Sequence, residues 1–173
     1  PSQAGGIVAG IASDAASKAF VIGCYNAGKV EQTNAPEQAV AVGGIVGYAN
    51  IGTNTIQNCY NIGQVRSNTS GGGIVGSAPF VTLSHCYYLN ASVPAGMTGA
   101  GNTIDDSIDA VYPLTQKQMV GTADVEGKPF LDLLNTGLTN LGQKFIAAPA
   151  GSDYRYPWVQ LQGDIDYTVP VAM

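Results

Sequence analysis

Gly-Gly-Ile-Val occurs three times in this chain, at Gly5-Gly6-Ile7-Val8, Gly43-Gly44-Ile45-Val46 and Gly72-Gly73-Ile74-Val75, and each copy is followed by an apolar residue, two spacers and Cys-Tyr. The second half of the phrase reads Val21-Ile22-Gly23-Cys24-Tyr25-Asn26, Ile56-Gln57-Asn58-Cys59-Tyr60-Asn61 and Leu83-Ser84-His85-Cys86-Tyr87-Tyr88. Two copies share a further tail, Ala27-Gly28-Lys29-Val30 and Ile62-Gly63-Gln64-Val65. A unit of roughly thirty residues, rich in glycine and β-branched side chains, cannot bury its apolar face alone, so successive copies must stack into a solenoid.

The copies are unevenly spaced, 38 residues from Gly5 to Gly43 and 29 from Gly43 to Gly72. The excess falls in two insertions, Asp14 to Lys18 and Glu31 to Gln38. Solenoids tolerate such loops because each coil touches only its neighbours and loop closure grows slowly in cost. Charged residues make up 11% of the 173, and 23 are glycine, which argues against a helical protein. A net charge of −5 opposes binding to nucleic acid or to an anionic membrane surface. No apolar run approaches the length of a spanning helix and no leader-like segment is visible, so membrane insertion is not expected. The first copy starts almost at residue 1, as in a piece of a longer chain with neighbouring domains.

Within a copy, the β-branched pair behind two glycines reads as a strand reached through a sharp turn. Cys24, Cys59 and Cys86 are expected to face inward, and the variable residues before them, Gly23, Asn58 and His85, outward. Val21, Ile56 and Leu83 stand three positions before the cysteines, so both can face inward only if a bend lies between them. Gly28 and Gly63 mark another corner, ahead of inward-facing Val30 and Val65. Each coil is expected to hold two or three short strands, parallel to those of the next.

The phrase Gly-Gly-Ile-Val-Gly followed by Asn-Cys-Tyr-Asn-x-Gly-x-Val resembles the GLUG motif of large bacterial surface proteins, and Gly43 to Val65 fits it best. The resemblance covers Gly5 to about Asn90. It departs at Ala9, where the other copies have Gly47 and Gly76, and the third copy loses its tail after Tyr88. It implies a right-handed parallel β-helix of about three coils, adhesin-like and non-catalytic, or an accessory region of a secreted immunoglobulin A-cleaving metallopeptidase. It also implies a secreted or cell-surface bacterial location. The structural repeat positions are then Gly5, Gly6, Ile7, Cys24 and Tyr25; Gly43, Gly44, Ile45, Cys59 and Tyr60; and Gly72, Gly73, Ile74, Cys86 and Tyr87.

The domain reading is a mainly β solenoid over 1–95, a C-terminal α+β capping segment over 96–163, and a linker over 164–173. Ala91 to Asp109 reads as loop. Thr115-Gln116-Lys117-Gln118 offers a capping box for a short helix that stops by Gly121. A second helix should follow Pro129, with Phe130, Leu133, Leu134, Leu138 and Leu141 on one face and Gly137 weakening its middle. Tyr154 to Val159 reads as an aromatic strand. A helix and aromatics of this kind would cover the apolar side chains and strand edges of an open coil end.

Groups suited to chemistry are scarce. His85 and Cys86 are neighbours on a strand and point apart, so neither a metal site nor an activated thiol forms between them, and three reduced cysteines in a buried ladder are the expectation. Asp105, Asp106 and Asp109 lack the glycine and terminal glutamate of the known calcium loop. Asp153, Asp164 and Asp166 are read in the same way, as solvated acids. Between Gly5 and Asn90 the acids are Asp14, Glu31 and Glu37, all in insertions, and glycoside hydrolysis needs paired carboxylates. Gly71-Gly72-Gly73 lacks the Lys-Ser or Lys-Thr of a phosphate loop. Tyr25, Tyr60, Tyr87 and Tyr88 form either a sugar-binding stripe or, the preferred reading, packing in or over the stack. No enzyme activity and no cofactor is expected. The expected partners are a host glycan or protein, contacted through the loops at 14–18 and 31–38. A carbohydrate-active β-helix is the remaining alternative.

Overall fold

The computed structural model describes residues 3–11, 17–33, 40–50, 53–102, 111–138 and 142–161. The first copy of the phrase forms five short strands: β1 (Gln3–Gly5), β2 (Val8–Ile11), β3 (Lys18–Ile22), β4 (Tyr25–Asn26) and β5 (Val30–Glu31). The second repeats them as β6 (Ala41–Gly43), β7 (Val46–Ala49), β8 (Thr53–Gln57), β9 (Tyr60–Asn61) and β10 (Val65–Arg66). The third forms β11 (Ser70–Gly72), β12 (Val75–Ser77), β13 (Val81–Ser84) and β14 (Cys86–Leu89). Five strands replace the expected two or three because the glycine pair and the residue before the cysteine each interrupt a strand.

Equivalent strands pair in parallel and in register. Gly43 lies between Gly5 and Gly72, Val46 between Val8 and Val75, Ile56 between Val21 and Leu83, and Tyr60 between Tyr25 and Tyr87, while Val65 pairs with Val30. The chain is therefore mainly β, with five parallel sheets running across the repeats. The glycine pair is required by a tight corner. A Cβ on Gly5, Gly43 or Gly72 would lie 1.9, 1.9 or 2.0 Å from the carbonyl oxygen three residues on.

Part of the segment read as loop, and the residues after it, pair with the third copy. β15 (Ala100–Asn102) joins the sheet of β2, β7 and β12, and β16 (Val111–Leu114) joins that of β4, β9 and β14. Ala100 pairs with Val75, Val111 with Cys86 and Tyr112 with Tyr87. The third copy is thus not the last to pair. Its lost tail is replaced by a 3-10 turn at Asn90–Ser92.

One core lies inside the rungs, built of Ile45, Val46, Ile56, Cys59, Ile74, Val75, Leu83 and Cys86 with their neighbours. Val30, Val40, Val42 and Val65 form a smaller cluster of their own, so the inward reading of Val30 and Val65 holds.

The remaining elements are α1 (Gln116–Met119), α2 (Phe130–Asn135) and the antiparallel pair β17 (Gln143–Ile146) and β18 (Trp158–Leu161). The Thr115–Gln118 capping box forms as read. Helix α2 is shorter than its spacing predicts, because Gly137 takes φ +79° and lies beyond the helix end. Leu138 is still buried, from the turn that follows, and Leu141 lies outside the described residues. The aromatic strand begins only at Trp158, after Pro157, which has no N–H to give a ladder. These elements lie along the side of the rungs rather than over an end. Phe130, Leu134, Leu138 and Phe145 pack on Tyr60, Tyr87 and Leu114 as a separate core.

Candidate functional site

The Cys-Tyr dipeptide organises both the inside and the outside of the stack. Gly23, Asn58 and His85, just before it, all adopt left-handed backbone, with φ of 64°, 51° and 49°. This is the bend that lets Val21, Ile56 and Leu83 and the cysteines three positions later share the interior. The outward reading of these three residues is corrected in part: they leave the interior, yet Gly23 and Asn58 are buried. The C-terminal segment covers them. Asn58 Nδ2 donates to the carbonyls of Leu134 and Thr136 at 2.8 and 2.9 Å, satisfying the end of α2. Gln143 Nε2 donates to Ile22 O at 3.0 Å and occupies the space that a Cβ on Gly23 would need. His85 is half-buried, and its Nδ1, like Asn58 Oδ1, is shielded without a hydrogen-bond partner.

Inside, all three thiols are free; Cys59 and Cys86 are fully buried and Cys24 half-buried. Each buried thiol reaches back one rung, Cys59 Sγ to Val21 O at 3.5 Å and Cys86 Sγ to Ile56 O at 3.4 Å. Hydrogen bonding from Cys59 lowers the Cys24 pKa to about 7 against the opposing effect of burial, while burial pushes Cys59 well above the ordinary thiol value. Cys59 and Cys86 therefore act as apolar filler with a weak donor.

Outside, the tyrosines stack. The rings of Tyr25 and Tyr60 are 5.2 Å apart and 8° from parallel, and those of Tyr87 and Tyr112 are 5.8 Å apart. Phe130 meets both Tyr60 and Tyr87 edge-on, at 5.8 and 5.2 Å, in the geometry favoured by ring quadrupoles. The Tyr60 hydroxyl donates to Pro157 O and lies 3.0 Å from the Tyr154 hydroxyl. Burial raises the pKa values of Tyr60 and Tyr87, and that of Tyr154 to about 12. Of the two readings of these residues, packing prevails: Tyr60 and Tyr87 are buried under the C-terminal segment, and Tyr88 belongs to the interior core.

One rung element unites backbone and side chain. Asn26 and Asn61 each fold back on the glycine two residues on, Asn26 Oδ1 accepting from Gly28 N at 3.0 Å and Asn61 Oδ1 from Gly63 N at 3.1 Å. Asn26 Nδ2 also donates to Asn61 Oδ1 at 2.8 Å, linking the rungs. Gly28 and Gly63 thus form the corner that the shared tail predicts.

Among the described residues, no three His, Cys, Asp or Glu side chains converge to hold a metal ion, and no helix is long and apolar enough to cross a membrane. The described acids are Glu31, which pairs with Lys29, and the scattered Asp124, Glu126, Asp132 and Asp153. Asp14, Glu37, Asp105, Asp106, Asp109, Asp164 and Asp166 lie outside the described residues, as do most of the two insertions and the 164–173 segment. A polar cleft of about 420 Å³ lies between Gln64–Asn68 and Ala91–Pro94. Gln32 borders it, its Oε1 accepting from Asn68 N at 3.0 Å, so the cleft adjoins the start of the second insertion.

The pairing of β15 and β16 has one signal in the sequence, Val111-Tyr112, which repeats the apolar-tyrosine order about one repeat length after Cys86-Tyr87. Pairing of Asn58 with α2 left no local signal. Compared with protein-family models, curated proteins and solved structures, the chain shows no match.

Proposed function

We propose that this chain is a right-handed parallel β-helix module of the GLUG type, with three evident coils and a degenerate fourth, serving as a non-catalytic scaffold of a secreted or surface-exposed bacterial protein. The observation that carries the reading is the in-register parallel pairing of successive copies, with cysteine inside and tyrosine outside at every copy. Repeats joined in this way give a stiff body whose stability is the sum of rung interfaces. Tyr60, Tyr87, Phe130, Cys59 and Cys86 are buried within that body. Surface loops and the cleft at Arg66 and Asn68 are then available to meet a partner, a host glycan or protein.

The test is an array of host glycans and extracellular-matrix proteins probed with the purified chain, run beside polysaccharide and peptide turnover assays. Saturable glycan binding that weakens in Arg66→Ala/Asn68→Ala, with no turnover, is the expected result. Turnover abolished by replacing one carboxylate would refute a scaffold role.

A further inference from the structure

The second, third and fourth rungs carry glycine at one equivalent place, Gly47, Gly76 and Gly101, whereas the first carries Ala9. The glycines are compelled by their neighbours. A Cβ on Gly47 would lie 2.4 Å from Ala9 O, one on Gly76 2.6 Å from Gly47 O, and one on Gly101 2.1 Å from Gly76 O. In each case the obstructing atoms are backbone atoms of the preceding rung, the nearest to Gly76 being Val42 N at 2.5 Å, and backbone cannot swing aside as a flexible side chain could. The Cβ at this place therefore points at whatever rung comes before. In the first rung that methyl is present and Ala9 is exposed.

The edge that bears it is otherwise well suited to receive a neighbour. Ile7 is 45% exposed where Ile45 and Ile74 are fully buried. In the second rung, Gly43 O and Ile45 O accept from Gly6 N and Ile7 N, and Tyr60 N and Ile62 N donate to Cys24 O and Asn26 O. By register, Gly5 O, Ile7 O, Tyr25 N and Ala27 N point outward in the same pattern, with no further rung among the described residues to meet them. Such an edge templates association with further strands. At the other end, Pro113 pairs with Tyr88 in β16, in the row of Asn26, whose carbonyl faces the following rung. A proline there gives that edge no N–H.

We propose that Ala9 is a steric stop. It denies the outer edge of the rung that bears it to any rung stacked in the register that joins the others, another copy of this chain included.

Because Gln3, Ala41 and Ser70 share one register, residues 40–69 joined directly to Gln3, in place of Pro1 and Ser2, would deliver an extra rung to this edge. This extended chain would be made with Ala9 and with Ala9→Gly, beside the unextended chain with each residue. Thermal melting and hydrogen exchange at Ile7 are then compared. With glycine, the added rung should raise the midpoint by roughly 5 °C and protect the Ile7 amide region; with alanine it should do neither. An equal gain in both extended chains overturns the proposal, and so does no gain in either, since the edge would then be closed for another reason. Ala9→Gly in the unextended chain shows whether the substitution itself harms the fold. The outcome is independent of whether the module binds a glycan.

Discussion

The interior of the rungs and the tyrosine flank are built from adjacent residues of one dipeptide, yet they are stabilised differently. The interior is repetitive: Ile45 over Ile74, Val46 over Val75 and Cys59 over Cys86, each copy finding itself in the next. It needs only shape, so a short phrase suffices to specify it. The flank cannot close on itself, because each tyrosine carries a hydroxyl and a broad ring that the rungs alone leave on the outside. It is completed by a distant, non-repetitive segment that supplies Phe130 as an edge-on wedge, Pro157 O and Tyr154 as hydroxyl partners, and Leu134 O and Thr136 O for Asn58. Repetition builds a core where neighbours are copies. Where the neighbour differs, polar pairing and ring geometry must be matched one by one.

The largest test of this contrast is Gly43→Ala. Its Cβ would lie 1.9 Å from Val46 O, so the corner that starts the second copy cannot form, and a loss of about 4 kcal/mol or failure to fold is expected in denaturant titration. A fully cooperative variant with unchanged midpoint would remove the corner argument.

Phe130→Ala comes next, at about 3–5 kcal/mol for a buried aromatic. Near-ultraviolet circular dichroism should fall while far-ultraviolet strand signal persists, if the flank opens without the rungs. Simultaneous loss of both signals would mean that the two cores are one cooperative unit.

At Asn58 two effects can be separated. Asn58→Ala loses both bonds to the end of α2 and places alanine at φ +51°, together about 2–3 kcal/mol. Asn58→Gly tolerates the backbone and should cost about 1 kcal/mol less. Equal losses would show that the left-handed bend carries no strain. The interior predicts a smaller response to Cys59→Ala, about 1–2 kcal/mol from the cavity, with cooperativity intact. A larger loss than that of Asn58→Ala would reverse the ranking of the two regions.

The last prediction leaves the protein unchanged at neutral pH. Burial raises the pKa values of Tyr60 and Tyr87 above the ordinary 10, and that of Tyr154 to about 12. An acid whose proton is held more tightly in the folded state contributes stability that is complete below pH 10 and is lost as pH rises toward 12. Tyrosinate absorbance should therefore rise in step with loss of near-ultraviolet dichroism across that window. Full titration near pH 10 with dichroism retained would place these hydroxyls in water instead.

The phrase itself announced the parallel register, the inward cysteines and the bend ahead of them, because periodic apolar spacing reports directly on what each copy offers the next. The capping box at Thr115 and Gln118 was equally legible, since both partners lie within one turn. Helix α2 was overextended because its leucine spacing continues past Gly137, where the backbone turns left-handed. The pairing of β15 and β16 is hidden in the sequence because Ala100 and Val111 keep the register while dropping the glycine pair and the cysteine.

Sequence alone determined that copies of one unit pair side by side, for this needs only local pattern and identity between neighbours. Tertiary structure decided which outward positions stay outside. Gly23, Asn58, Tyr60 and Tyr87 leave the rungs as surface residues would, and become buried only because a segment some seventy residues and more downstream of Asn58 folds back onto them. No local rule encodes that contact, since its stabilisation comes from burying two surfaces that are far apart along the chain.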